Sequence, residues 1–302
     1  MTKEKKFQLR QSAILLLTAL IWGGAFVAQS IGMEYIGPFT LVGIRFLLGA
    51  AVLLPVILLQ SRFRHREKAP EKHEGDGLAT GGKTLITGGI LCGLALGTAS
   101  TLQQVGIGYT TVGKAAFLTA MYIVIVPLFA LLRGKRVKPV IWLCVAIACA
   151  GIYFLSMPKG SIRLMTGDAL CLSCAFVFAI QITLVDHYAN LADGIRLAFL
   201  QFLTASALGF VLMLIFEHPV PDEILRAAWP LLYLGVLSTG TAYTLQIIGQ
   251  RGLNPTIASL IMSLESTIST IAGYVFLHQT LTPRELAGCV LMAVSIVLAQ
   301  LA

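Results

Sequence analysis

One acidic residue stands in the middle of an apolar stretch near the C-terminus. In the segment SLIMSLESTIST, Glu265 is the only charged residue between Pro255 and Leu277. Its neighbours at helical spacing are small, which favours a face turned toward other helices. A charged side chain in hydrocarbon costs about 2.5–3.5 kcal/mol, so the carboxyl group must be protonated, paired or beside water. We interpret Glu265 as a candidate proton site or partner for a cationic solute. The alternative is a protonated acid bonded to a backbone carbonyl.

A basic residue occupies a comparable position near the N-terminus. Arg45 lies about seven residues inside an apolar run that begins at Pro38, or roughly 10 Å along a helix. Arginine stays charged, so it must reach the membrane surface, bind helix-end carbonyls or meet an anion. A loose internal alignment pairs it with Gln201, so charge at this place differs between the two parts of the chain. Arg45 is therefore either a structural residue or a substrate contact.

Aromatic and amide side chains within apolar runs are further candidates. Solute-binding sites combine aromatic walls with a few polar groups, and ordinary helix packing is the alternative interpretation for each residue. The candidates for pocket lining are Trp22, Phe26, Tyr122, Phe176, Gln181, Tyr243 and Gln246.

The elements that carry these residues are predicted to be membrane helices. The chain has 302 residues, of which 57% are hydrophobic and only 12% are charged, whereas a soluble domain has about a quarter of its residues charged. Runs of roughly 20 apolar residues are long enough to cross the hydrocarbon. We predict an all-α integral membrane protein with ten spans, at about 12–32, 38–59, 84–104, 112–132, 139–157, 166–186, 196–216, 229–249, 255–277 and 284–302.

Prolines and glycines predict where helices begin, pack closely or bend. Proline is favoured in the first turn of a helix, so four prolines predict helix starts: Pro38, Pro139, Pro255 and Pro283. Glycines at every fourth residue in the third span predict close helix packing: Gly89, Gly93 and Gly97. Pro127, inside the fourth span, is a candidate bend.

Basic residues predict the orientation. Most of the 22 Lys and Arg residues fall in the N-terminal leader, in the loop 60–83 and in the short loop before Pro139. The positive-inside rule then places both termini in the cytoplasm and the protein in the cell membrane. The net charge of +8 is thus a topological signal, and we expect a lipid bilayer and a small solute as partners, with no nucleic acid. The protein is expected to be a monomer or a homodimer.

An internal repeat accompanies this pattern. The segment LQQVGIGYTTVGKAAFL, from Leu102, resembles LQIIGQRGLNPTIASLI, from Leu245. Each half then holds five spans, residues 1–158 and 159–302. Because five is odd, the second half is inverted. Inverted repeats build many secondary transporters that bind solute near the midplane and work by alternating access.

Three segments resemble a known family. They are LIWGGAFVAQS, GPFTLVGIRFLLGA and SLESTISTIAGYVFLHQTLTPRELAGCVLMAVSIV, and they look like parts of the EamA-type branch of the drug/metabolite transporter superfamily. The resemblance implies a ten-helix exporter or exchanger of small metabolites, amino acids or drugs. The chain departs from the family where LEP and GE are common, since it has Leu264-Glu265-Ser266, His278-Gln279 and Gly134-Lys135. A role of the acidic residue in that GE pair does not carry over.

Other classes are less well supported. The five histidines are scattered, and the sequence contains no HExxH pattern, so we expect no metal, no cofactor and no catalytic residues. The segment GLATGGKT, from Gly77, has the spacing GxxxxGK[ST], but it follows a charged loop and not the buried strand that a nucleotide-binding loop requires, so we expect no ATPase. The pair Cys171 and Cys174 is predicted to be buried in a helix. A channel or an integral membrane enzyme remains the alternative to a transporter, which is the function that the sequence favours.

Overall fold

The computed structural model describes residues 3–67, 77–110, 112–134, 137–156, 166–277 and 282–301. Every regular element in these ranges is helical. The elements are α1 (Lys3–Gly32), α2 (Pro38–Glu67), α3 (Gly77–Ile107), α4 (Val112–Ala120), α5 (Tyr122–Leu132), α6 (Pro139–Ser156), α7 (Thr166–Tyr188), α8 (Gly194–Phe216), α9 (Pro221–Arg226), α10 (Ala228–Leu232), a π-helical segment (Tyr233–Tyr243), α11 (Thr244–Gln250), α12 (Pro255–Met262), α13 (Leu264–Leu277) and α14 (Pro283–Leu301).

Several of these helices are suited to a bilayer. Among the described residues, seven helical stretches are long and apolar enough to cross it: Glu4–Gly32, Pro38–Gln60, Gly82–Ile107, Ala115–Leu132, Thr166–Tyr188, Gly194–Phe216 and Ala228–Gln250. Two shorter apolar helices, Pro139–Phe154 and Leu286–Ala299, accompany them. The chain is therefore a multi-pass helical membrane protein.

The four prolines mark helix starts as predicted. Pro38, Pro139, Pro255 and Pro283 are each the first residue of a helix. At this position the missing N–H has no intrahelical partner to lose, and the ring presets a helical φ. Asn254 adds a side-chain cap before Pro255, since its Oδ1 accepts a hydrogen bond from the Thr256 N–H at 2.9 Å.

The fourth and ninth predicted spans are each interrupted, which corrects the prediction of continuous helices. Met121 separates α4 from α5 with φ −60° and ψ −10°, and Ser263 separates α12 from α13 with φ −63° and ψ −11°. The break in the first half precedes Pro127, which lies inside α5. In the second half, the Ser263 hydroxyl donates to the Leu260 carbonyl at 2.7 Å, and such back-bonding competes with regular helical geometry.

The eighth predicted span is divided differently. It consists of α10, the π-helical segment and α11, where the sequence predicts one helix at about 229–249. A side-chain hydrogen bond has the same five-residue spacing as a π-helical turn: Thr241 Oγ1 donates to the Val236 carbonyl, five residues earlier, at 3.0 Å. π-Helical turns are rare and occur frequently at functional sites.

The loop predicted at 60–83 is shorter in the structure. Helix α2 continues to Glu67 and α3 begins at Gly77, so only residues 68–76 of that loop lie outside both helices, and they also lie outside the described residues. Hydropathy marks where a chain leaves the hydrocarbon, but a helix can continue into water beyond that point.

Helices from the two halves of the chain interleave. Helix α2 packs along α8, and α3 packs against both α7 and α8. The predicted glycine face of α3 allows its close contact with α8. A Cβ on Gly93 would lie 2.5 Å from Thr204 Cβ and 2.7 Å from the Gln201 carbonyl oxygen. Gly89 and Gly97 likewise face α8, which confirms the prediction of close packing.

A carboxylate from one half caps a helix of the other. The N-terminal turn of α2 donates three hydrogen bonds to Glu217, which follows α8: Phe39 N at 2.8 Å, Thr40 N at 2.7 Å and Thr40 Oγ1 at 2.6 Å. A negative group at this place satisfies free N–H groups and the helix dipole. Helix α8 instead begins with its own cap, Asp193.

Candidate functional site

A small cavity lies where the interrupted helices meet α1, α2, α3, α7 and the π-helical segment. Its volume is about 30 Å³, which is room for only a few water molecules. Its lining residues are Trp22, Ala25, Phe26, Gln29, Arg45, Gln103, Thr119, Tyr122, Phe178, Gln181, Ile182, Ser238, Tyr243, Gln246, Met262 and Glu265.

The structure brings six of the seven candidates for pocket lining, all but Phe176, together with Glu265 and Arg45 in this lining. Phe176 is 49% exposed and packs against Phe129, with ring centroids 5.4 Å apart, so the pocket interpretation of Phe176 is wrong. Substrate contact by the lining residues stays a prediction.

The two helix interruptions place an acid and a phenol opposite each other. Glu265 lies in the first turn of α13, just after Ser263, and is 6% exposed. Tyr122 is the first residue of α5, just after Met121. The Tyr122 hydroxyl donates to Glu265 Oε1 at 3.2 Å. Each member of this pair therefore follows a helix interruption, one in each half of the chain.

Arg45 reaches the cavity from α2. Its side chain is 2% exposed, and its Nε and Nη2 atoms have no hydrogen-bond partner. The guanidinium lies over the Phe46 ring, 5.0 Å from the ring centroid. Tyr243 and Cys174 lie near it. The cavity therefore contains a buried cation whose donors are largely unused.

Aromatic rings form one wall. The Trp22 and Tyr243 ring centroids are 4.6 Å apart with planes tilted by 57°, and Phe46 lies 6.0 Å from Tyr243. The indole N–H of Trp22 donates to the Ser238 carbonyl in the π-helical segment at 3.2 Å. The π-helical segment thus holds the Trp22 ring at both ends of this contact: Ser238 accepts its indole N–H, and Tyr243, the last residue of the segment, packs against its ring in a tilted orientation.

Amide side chains form another part of the lining. Gln246 Nε2 donates to Gln181 Oε1 at 3.2 Å, which leaves Gln181 Nε2 and Gln246 Oε1 without a partner. Gln29 Oε1 is also unpartnered. Buried polar groups are normally hydrogen-bonded, so these atoms provide donors and acceptors for a polar solute or for water.

The candidates from the sequence did not include eight of the lining residues: Ala25, Gln29, Gln103, Thr119, Phe178, Ile182, Ser238 and Met262. A signal for some of them was present. The pattern Phe-x-x-Gln occurs in α1 as Phe26 and Gln29 and again in α7 as Phe178 and Gln181. Residues with the same spacing in the first helix of each half would be expected to reach the same cavity.

Comparison with known proteins adds to this geometry. The EamA-like transporter family matches the chain twice, at residues 11–157 and 165–301. An uncharacterized transporter of Archaeoglobus fulgidus is 28% identical over 95% of this chain and 84% of its own length. The threonine/homoserine exporter RhtA of Escherichia coli (strain K12) is 28% identical over 90% of this chain and 85% of its own length. A solved crystal structure of another protein has a TM-score of 0.74 and 19% identity, covering 97% of this chain and 96% of that one, which shows a shared fold. Because the family matches nearly the whole chain, the protein belongs to the EamA-like transporter family.

Proposed function

We propose that the protein is a secondary-active transporter that exports or exchanges small polar metabolites by alternating access. One observation carries the proposal: a cavity enclosed by apolar helices is lined by a cation, a carboxyl group and several unpartnered amide atoms. Polar groups inside a membrane are costly, and they commonly mark solute or ion pathways. Membership of a transporter family agrees with this interpretation.

The proposed architecture is a pair of inverted five-helix repeats, residues 1–158 and 159–302. It is supported by the two successive family matches and by the recurrence of Phe-x-x-Gln in α1 and α7. In this arrangement α6, the α12–α13 pair and α14 complete ten crossings, and both termini lie in the cytoplasm of a cell that carries the protein in its cell membrane.

The size of the cavity supports the proposal of alternating access. A volume of about 30 Å³ is far too small for an amino acid, so a solute binds only after the helices move apart on one side. Inverted repeats supply two such arrangements, because each half can adopt the conformation of the other. The helix interruptions at Met121 and Ser263 are natural positions for that change, since they already lack continuous helical bonding.

Glu265 is the proposed coupling residue. It is buried, and its Oε1 is held by a neutral phenol, Tyr122, rather than by a basic group. A carboxyl group in such a place can take up and release a proton as the cavity alternates between dry and wet states. Transport would then depend on the proton gradient as well as on the solute gradient.

Flux measurements test the proposed function. The purified full chain is reconstituted into proteoliposomes, and efflux of L-threonine, L-homoserine and other small metabolites is followed with and without a pH gradient. We expect saturable flux of a restricted set of solutes. Flux that grows linearly with concentration and carries open-channel currents would show a channel instead.

Cysteine labelling tests the architecture. Single cysteines at Ser61, in α2, and at Thr80, in α3, should react only with cytoplasmic reagent. Ser161 should react from outside, although it lies outside the described residues. The reverse pattern would exclude the proposed orientation.

A further inference from the structure

Two charged residues belong to the described lining of the cavity, and they do not neutralise each other. Arg45 is buried with Nε and Nη2 unpartnered, and Glu265 is engaged by Tyr122. Tyr243 and Cys174 lie near both charged groups, so the two groups flank the same part of the cavity. The arrangement offers one cationic and one acidic pole, each supplied by a different half of the chain.

The cationic pole lacks the stabilisation that its burial requires. Burying an ion is unfavourable unless hydrogen bonds and an opposite charge compensate. The cation–π contact with the Phe46 ring is weak compared with the loss of hydration. Arginine does not relieve the cost by losing its proton. The unpartnered Nε and Nη2 donors of Arg45 are therefore expected to bind an anion.

The geometry of the guanidinium narrows the choice of anion. Its planar donors match a carboxylate through two parallel hydrogen bonds. The nearby carboxyl group of Glu265 disfavours a multiply charged anion such as phosphate and favours a solute that presents a cation to it. A single carboxylate together with an ammonium group satisfies both poles.

We propose that Arg45 binds the carboxylate of a zwitterionic solute, whose ammonium group faces Glu265. This assignment rests on the proposed transport function and names the chemistry of its substrate. Arg45 is then the residue that makes the cavity selective for solutes with a carboxylate. Tyr243, which lies near both poles, contacts the body of the solute together with Trp22.

Matched solutes test the assignment in proteoliposomes of the wild-type chain. Each amino acid, L-threonine, L-homoserine and L-leucine, is compared with the amino alcohol in which a hydroxymethyl group replaces its carboxylate. We expect saturable efflux of at least one amino acid and at least a ten-fold lower efficiency for its amino alcohol.

Variants at Arg45 locate the effect. Arg45→Gln should raise the KM for the amino acid at least ten-fold, and Arg45→Lys should fall between this variant and wild type, because it keeps the charge and loses the planar fork. The matched control is Arg133→Gln, at an exposed arginine that follows α5, and it should transport like wild type. If Arg45→Gln does not fold, the solute pairs and Arg45→Lys still decide.

The possible failures are distinct. Equal efficiency for an amino acid and its amino alcohol overturns the Arg45 assignment and leaves the transport proposal standing. A wild-type KM in folded Arg45→Gln does the same, as does stronger competition by inorganic phosphate than by acetate. Absence of saturable flux of every solute tested, in folded wild-type protein, overturns both proposals.

Discussion

The two halves of the chain contribute the same aromatic and amide residue types to the cavity, but different residue types at the charged positions. Phe26 and Gln29 of α1 correspond to Phe178 and Gln181 of α7, and all four line the cavity. The charged positions do not correspond. Glu265 aligns with Tyr122, which lies 143 residues earlier in the chain, and Arg45 aligns with Gln201, which is buried outside the lining.

This difference separates two tasks. Because each half supplies matching aromatic and amide residues, the lining keeps the same residue types when the two halves exchange conformations, as the proposed alternating access requires. The charged residues do not match, so the cavity is polar, with a cation from one half and an acid from the other. We infer that shape and hydration are symmetric in this protein, whereas recognition and coupling are not.

Removing the acid should have the largest effect. Glu265→Gln is nearly isosteric and retains a hydrogen-bonding group toward Tyr122, so folding is expected to persist while pH-dependent transport or cation selectivity is abolished. Glu265→Asp keeps the carboxyl group and should retain part of the activity. Initial rates across a pH series in proteoliposomes provide the measurement.

The control for this change is Glu223→Gln, at an exposed carboxylate of α9, which should leave the pH profile as in wild type. Wild-type rates with an unchanged pH profile in Glu265→Gln would identify Glu265 as a protonated structural group, and the asymmetry would then have no role in coupling.

Equivalent spans should also differ in stability. In α3, Gly93→Ala places a Cβ 2.5 Å from Thr204 Cβ and 2.7 Å from a backbone oxygen, and such overpacking costs about 1–3 kcal/mol. In the π-helical segment, the new Cβ of Gly240→Ala meets its nearest atoms at 3.3 Å and should cost less. Thermal unfolding in detergent measures both.

The baseline for this comparison is Gly82→Ala, whose new Cβ has nothing within 4 Å. Its unfolding temperature should match or exceed that of wild type. Equal losses in Gly93→Ala and Gly82→Ala would show that α3 and α8 are not held together by close packing.

The matched amides should respond alike. Gln103 and Gln246 are both in the lining, and their Nε2 atoms donate to Thr119 at 3.3 Å and to Gln181 at 3.2 Å. Gln103→Leu and Gln246→Leu should each weaken solute binding by about 1 kcal/mol, since each loses one hydrogen-bonding group. A KM that changes in only one of the two variants would contradict a symmetric lining.

The smallest effect is expected at the phenol. Tyr122→Phe removes one donor to Glu265 and keeps the ring, which should lower the transport rate by an amount equivalent to about 0.5–1 kcal/mol. The pH dependence should persist, because the carboxyl group remains. Loss of pH dependence in this variant would mean that Tyr122 is itself part of the coupling, and that the two halves share it.

Much of the cavity could be predicted because its residues conflict with their surroundings. Glu265 and Arg45 are charged residues within apolar runs, and the physical cost of that placement points to a shared interior site. Proline chemistry likewise fixed four helix starts, beginning with Pro38. These inferences depend on local sequence and on the bilayer, which are both known without coordinates.

The interruptions and the π-helical segment could not be predicted in this way. Met121 is of an ordinary helical residue type and keeps right-handed helical angles, so composition gives no sign of the break. The π-helical turns depend on distant partners: Trp22 donates to the Ser238 carbonyl and Thr18 to the Ala242 carbonyl, the latter at 3.4 Å. Hydropathy does not register which carbonyl accepts which hydrogen bond.

The contact between Glu217 and the start of α2 affects how the molecule can move. This carboxylate belongs to the second half of the chain and closes a helix of the first. Farther along the same pair, Ser206 of α8 donates to the Gly43 carbonyl of α2 at 2.9 Å. A hinge that swung residues 1–158 against residues 159–302 would have to break each of these bonds. Helices α2 and α8 are therefore expected to move together, so the boundary between the two halves in sequence is not the boundary along which the proposed alternating access would open the molecule.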